Sequence, residues 1–125
     1  MSSTPIPVPS TDCLSGRGVR ARVAVSVGEI IESCFVVVVP EHQVTDLDRT
    51  LLYDYYFGWD NGAAALALGY GSLYNHSATP NADYVKDFDA GVVRIVATRA
   101  IAAGDEITVD YSRGGTNPLW FTPAC

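Results

Sequence analysis

The chain has 125 residues, enough for one domain built around one core. Apolar residues make up 48% of it and charged residues 18%, which excludes a disordered chain and predicts a globular one. A formal net charge of −6 disfavours any phosphate-binding surface, so no direct nucleic-acid partner is expected, and it favours basic partners such as Lys-rich segments.

Met1–Ser10 carries three prolines among Ser and Thr and reads as a flexible or extended tail. It lacks the basic and apolar stretches of a signal peptide, and no apolar run is long enough to span a bilayer, so no membrane partner is expected. From Val19 to Val27 apolar and polar residues alternate as in a half-buried strand, and Val27-Gly28-Glu29 reads as a turn. Ile30–Val39 is a strongly β-branched run, predicted as a buried strand that Pro40 ends. Glu41–Arg49 reads as a loop or a short helical turn starting near Thr45. The aromatic stretch Leu51–Trp59 is predicted as strand, with a short helix as the alternative.

Ala63–Leu68 is apolar and leads into Gly69-Tyr70-Gly71. Tyr84–Phe88 and Val92–Ala97 are strand-like and flank Asp87–Gly91, a hairpin turn. Ile107–Tyr111 is a further short strand, and Ser112–Cys125 is irregular. A weak internal echo joins two of these regions. The spacing of Ala21, Ala24, Val25, Gly28, Glu29 and Ile31 recurs in Ala97, Ala100, Ile101, Gly104, Asp105 and Ile107, each reading as strand, Gly-acid turn, strand. Short strands throughout, with no convincing 3.6 period over ten residues, predict a mainly β fold of several small sheets. Cys13, Cys34 and Cys125 form no CxxC pair and no even set, which predicts reduced thiols, with Cys34 in the core.

Three segments carry chemistry. Gly16-Arg17-Gly18 is a tight turn before a strand, where the backbone can approach a ligand closely; it lacks the preceding strand and following helix of a dinucleotide fingerprint. Asn75-His76-Ser77, followed by Pro80-Asn81, offers an amide, an imidazole and a hydroxyl within three positions. No second ligand stands at metal spacing around His76, so no zinc is expected. Gly104–Tyr111 ends a strand on an acid and a phenol.

In this order the three segments resemble the signature of SET-domain protein-lysine methyltransferases: a GxG turn, an NHS-x-x-PN segment and a GEE-[LI]-x-x-x-Y segment. The likeness covers about Ser15 to Tyr111, and the compact length resembles the minimal SET proteins of bacteria and large DNA viruses. It divides the chain into a tail at 1–10, a SET core at 11–111 and a closing segment at 112–125. It implies small curved sheets with a knot-like C-terminal threading, and methyl transfer from S-adenosylmethionine to a lysine of a basic, histone-like protein.

By the same resemblance, Tyr111 stands beside the transferring methyl. Gly16, Arg17, Gly18, Asn75 and His76 hold the cofactor, and Tyr55 lines the site, with Tyr56 as the competitor. Trp120 stacks on adenine, lines the lysine channel or is plain core. Val109, two residues before Tyr111, leaves room for a methylated amine, so at least dimethyl-lysine is expected. The sequence departs from many chromatin SET enzymes in lacking Cys-rich segments on either side of the core, so closure by zinc is replaced by packing of Leu119, Trp120 and Phe121. The remaining expectations are a cytoplasmic protein (nuclear if eukaryotic or from a eukaryotic virus) and pairing of two copies as one option. The alternative function is a non-catalytic module that binds lysine or methyl-lysine peptides.

Overall fold

The computed structural model describes residues 6–13 and 16–110, and every structural statement below concerns those residues. Two strands come first, β1 (Pro7–Cys13) and β2 (Gly16–Ala21), paired antiparallel in a sheet of their own. Residues 7–10 therefore belong to a strand and not to a flexible tail, and the prolines explain how. Val8 pairs with Arg20 and Ser10 with Gly18, while the Ile6 carbonyl accepts from Arg22 N at 2.7 Å. Even-numbered residues thus face β2, and Pro7 and Pro9 turn their missing N–H groups to the outer edge, where no ladder bond is lost. The alternation read over Val19–Val27 ends as a strand at Ala21.

The main sheet has five strands in the order β4-β5-β3-β8-β7: β3 (Ile30–Val39), β4 (Phe57–Gly58), β5 (Ala64–Ala67), β7 (Ala82–Asp87) and β8 (Val92–Ala97). All its neighbours are antiparallel. The expected hairpin is β7–β8, with Gly91 at φ +69° closing the turn. β3 has the expected bounds but is not buried on both faces. Phe35 is 69% exposed and Val37 50%, because only one face of the sheet is covered by the core. β6 (Asn75–His76) and β9 (Thr108–Val109) form a third, parallel pair. The sequence thus folds as small separate sheets. The knot-like threading involves residues beyond Asp110, outside the described set.

Two further expectations are corrected. The helix α1 (Glu41–Leu47) starts directly after Pro40, not near Thr45. Leu51–Asp54 is a 3-10 turn and only Phe57–Gly58 is strand. Thr50 decides this: its hydroxyl donates to the Leu47 carbonyl at 2.7 Å and accepts from Leu52 N at 3.1 Å, capping the turn. Tyr53 and Tyr56, three apart, then meet edge to face at 6.4 Å.

The internal echo is a physical pairing. Val25 and Ile101 exchange two backbone bonds, Val25 N to Ile101 O at 2.8 Å and Ile101 N to Val25 O at 3.0 Å. On one side, Ala21 N donates to Asp105 O and Gly104 N to Ala21 O; on the other, Ala97 N donates to Glu29 O and Gly28 N to Ala97 O. Each bond has its counterpart in the other copy of the pattern, so the two segments lie across a local two-fold centred on Val25 and Ile101. The turns match as well: Glu29 N bonds to Ser26 O and Asp105 N to Ala102 O, with Gly28 at φ +84° and Gly104 at φ +91°. Positive φ at the third turn position is the type II arrangement, which selects glycine. Val19, Ala21, Val25, Ile101 and Ile107, all at most 3% exposed, place this clasp in the main core beside Val93 and Ile95.

Gly104→Ala meets no atom within 4 Å, so its cost is backbone strain alone. A loss of about 1–2 kcal/mol in urea unfolding is expected, whereas Gly58→Ala, with open space and no positive φ, should stay within about 0.5 kcal/mol of wild type.

Candidate active site

The three chemistry-bearing segments converge on one side chain. Asn75 opens β6, and its Nδ2 donates to the Arg17 carbonyl at 2.9 Å and to Glu106 Oε2 at 2.7 Å. One amide therefore ties the GxG segment to the last motif; that segment is not a turn ahead of a strand but the first three residues of β2, paired with β1. Gly18 is what permits it: a Cβ there would lie 2.6 Å from Asn75 Nδ2, 2.7 Å from Glu106 Oε2 and 2.8 Å from Cys13 Sγ. Gly16, at φ +96°, has open space around its Cβ position. Both glycines are needed, one for close approach and one for backbone shape.

β6 is held beside β9 by the parallel ladder, Asn75 against Thr108 and His76 against Val109, extended by Ser77 N donating to Val109 O at 3.0 Å. Asn81 locks the same junction. Its Nδ2 donates to the Glu106 carbonyl at 2.8 Å, and its Oδ1 accepts from Thr108 N at 2.9 Å. The Pro80-Asn81 pair thus does more than turn the chain, since the amide replaces a strand neighbour for β9. His76 is buried, with Nδ1 3.7 Å from Asp110 Oδ1.

Tyr55 lies on the same side. Arg17 Nη2 donates to its hydroxyl at 3.3 Å, and Ser72 Oγ donates to its carbonyl at 2.8 Å. Tyr56 turns elsewhere: its hydroxyl donates to Asp48 at 2.8 Å, and burial followed by that carboxylate pushes its pKa up to about 12. Behind the site, Glu32 on β3 accepts from the Tyr74 hydroxyl at 2.7 Å and from Tyr70 N at 3.1 Å, which pins the loop that delivers Asn75. Tyr74 is 2% exposed, and burial first and Glu32 second hold its hydroxyl strongly against ionisation.

The structure therefore brings Gly16, Arg17, Gly18, Tyr55, Asn75 and His76 into one region. Tyr111 and Trp120 lie outside the described residues, as do Leu119 and Phe121. Val109 is a 3%-exposed member of the hydrophobic core. Glu106, Asn81, Ser72 and Glu32 were not singled out from sequence as site residues. Glu106 and Asn81 stand inside the motifs, and their carboxylate and amide were the available signal; nothing in the sequence marks Ser72 or Glu32. Among the described residues no group of three His, Cys, Asp or Glu is placed to hold a metal ion, and no helix is long and apolar enough to cross a membrane.

Residues 16–112 match the profile of the SET domain. The chain belongs to the SET-domain family. It is 30% identical over 107 residues to the Schizosaccharomyces pombe histone-lysine N-methyltransferase named as H3 lysine-37 specific, covering 85% of this chain and 70% of that protein. A crystal structure of a Plasmodium falciparum candidate histone methyltransferase superposes with a TM-score of 0.72 at 30% identity, over 87% of this chain and 95% of the other. The small sheets and the parallel β6–β9 pair are thus the frame of a SET domain, and the junction at Asn75 lies where its motifs meet.

The two described thiols of this SET domain are structural. Cys34, 2% exposed, has its pKa pushed up to about 12 by burial and then by Glu32; burial and then Glu106 raise that of Cys13. Because the thiolate is the reactive form, both should resist alkylation at pH 8 in the native protein and react on unfolding, as read by peptide mapping of alkylated cysteines.

Proposed function

We propose that this SET domain, a protein-lysine N-methyltransferase with a protein substrate, takes S-adenosylmethionine at the junction of Gly16–Gly18, Asn75 and His76 and methylates lysine in a histone-like or other basic protein. The carrying observation is the double donation by Asn75. With both amide hydrogens committed to Arg17 and Glu106, its Oδ1 is left as an acceptor without a partner among the described residues. An acceptor of this kind, on an amide packed against Gly18, fits the ammonium of the cofactor's methionine part. The cofactor, when bound, supplies an electrophilic methyl on a cationic sulfur.

The rest of the chemistry falls to the chain. A lysine amine in water titrates at about 10.4 and must lose its proton to become a nucleophile. A narrow channel walled by aromatic side chains disfavours the charged amine by desolvation, and a nearby cation acts in the same direction. Tyr55, held by Arg17 and Ser72, would line such a channel together with Tyr111. Holding the amine in line with the methyl can supply on the order of 7–11 kcal/mol of barrier lowering in ideal cases. The net charge of −6 supports a basic substrate, as does the histone named for the yeast relative.

Asn75→Ala should weaken S-adenosylmethionine binding about tenfold or more, the equivalent of a charged hydrogen bond of about 1.5–3 kcal/mol; calorimetry with unchanged affinity and an intact fold would remove Asn75 from the pocket. Tyr111→Phe should retain binding but lose about 2.7–4 kcal/mol of transition-state stabilisation, a hundredfold or greater fall in rate. Near wild-type turnover would exclude Tyr111 from that role. Val109, two residues before Tyr111 in the sequence, is small and carries no hydroxyl to hold a water; at least dimethyl-lysine is therefore expected at completion, and mass spectrometry showing only monomethyl-lysine would contradict it.

A further inference from the structure

Lys86 is the only lysine in these 125 residues; every other member of the eight Lys and Arg residues is arginine. An enzyme whose acceptor is a lysine amine thus offers itself a single side-chain target. That target is not placed at random. It stands on β7, the edge strand of the main sheet, which pairs with β8 alone within that sheet, and it immediately precedes the turn residues Asp87–Gly91. An extended segment at a sheet edge, next to a projecting turn, is the form in which a groove can take up a chain by strand pairing. Arg94 fixes the same end of the hairpin through a 2.8 Å bond to Asp87.

The aromatic setting adds a second reason. Lys86 shares the face of β7 that carries Ala82 and Tyr84. Its Nζ lies 5.8 Å from the centroid of the Tyr84 ring, and that ring packs against Phe57 at 5.1 Å. A methylated ammonium sheds water more readily than a bare one and is the kind of cation that aromatic faces hold well. The chain therefore carries its lysine next to a surface that would favour the methylated product.

We propose that Lys86 is a self-methylation site, modified by a second copy of this chain. The inference rests on the methyltransferase reading given above. Transfer between copies follows from the position of Lys86 along β7. It is four residues from Ala82, about 13 Å along a strand, and so lies towards the turn and away from the Asn81 end that clamps β9 at the active site. In the reaction, the Lys86 ammonium first gives one proton to solvent. The amine lone pair then forms the new N–C bond as the S–CH3 bond of S-adenosylmethionine breaks, and S-adenosylhomocysteine leaves with the sulfur electron pair.

The test incubates purified wild-type protein with methyl-labelled S-adenosylmethionine, alone and with a Lys-rich histone-tail peptide, followed by peptide mapping. Label on Lys86 is expected in the wild type and should be absent in Lys86→Arg, which should still methylate the peptide. Mixing Tyr111→Phe, with Lys86 intact, and active Lys86→Arg should place label on the Tyr111→Phe chain. Peptide labelled but Lys86 unlabelled overturns this inference alone, as does label that persists elsewhere in Lys86→Arg. Label on wild-type Lys86 with none in the mixture overturns transfer between copies. Neither peptide nor Lys86 labelled overturns the methyltransferase reading itself.

Discussion

Asn75 makes two donations from one amide, and much of the site follows from them. Arg17 belongs to β2 near the start of the chain and Glu106 to a motif near its end, so a single side chain fixes the distance between segments that are remote in sequence. Gly18 has no side chain because the amide, the carboxylate and Cys13 Sγ already fill that space. A half-buried donor in such a junction gains up to about 1.5–3 kcal/mol from a charged partner. The geometry is therefore maintained by mutual dependence. It also leaves the amide oxygen as an acceptor without a partner among the described residues.

The clasp around Val25 and Ile101 makes that junction reachable. Its paired backbone bonds bring residues 19–29 against 97–107, and the last of them, Ile107 N to Val19 O at 2.8 Å, delivers Glu106 to the side of the GxG segment that opens β2. Asn81 then supplies β9 with the bonds that an adjacent strand would make, and the parallel step Asn75–Thr108 completes the frame. Parallel pairs need long connections, and here that connection includes the β7–β8 hairpin of the main sheet. That sheet thus serves the site by spanning from β6 to β9, while Glu32 anchors the loop just ahead of Asn75.

The β7–β8 hairpin and the bounds of β3 were legible because alternation, β-branching and a turn signal all agreed there. The burial of β3 was not, since which face of a strand is covered depends on neighbours that the segment itself does not name. Leu51–Trp59 misled for a local reason: aromatic residues suit strands, yet the Thr50 cap and the Tyr53–Tyr56 contact favour a turn. The prolines of residues 7–10 suggested a tail until the pairing showed their missing donors on an open edge. In the site, the motif residues were legible from their order and spacing. The reach of Glu106 to Asn75 was not, because it arises only when two distant segments lie parallel.

Hydrogen exchange of the protein with and without S-adenosylmethionine tests most directly whether the three motifs form one cofactor site. Exchange should slow together in residues 16–21, 73–77 and 106–109, with the edge strand β4 and its neighbour β5 little changed. Slowing confined to the five-stranded sheet, or absent from all three motifs at a saturating cofactor concentration, would contradict a shared site.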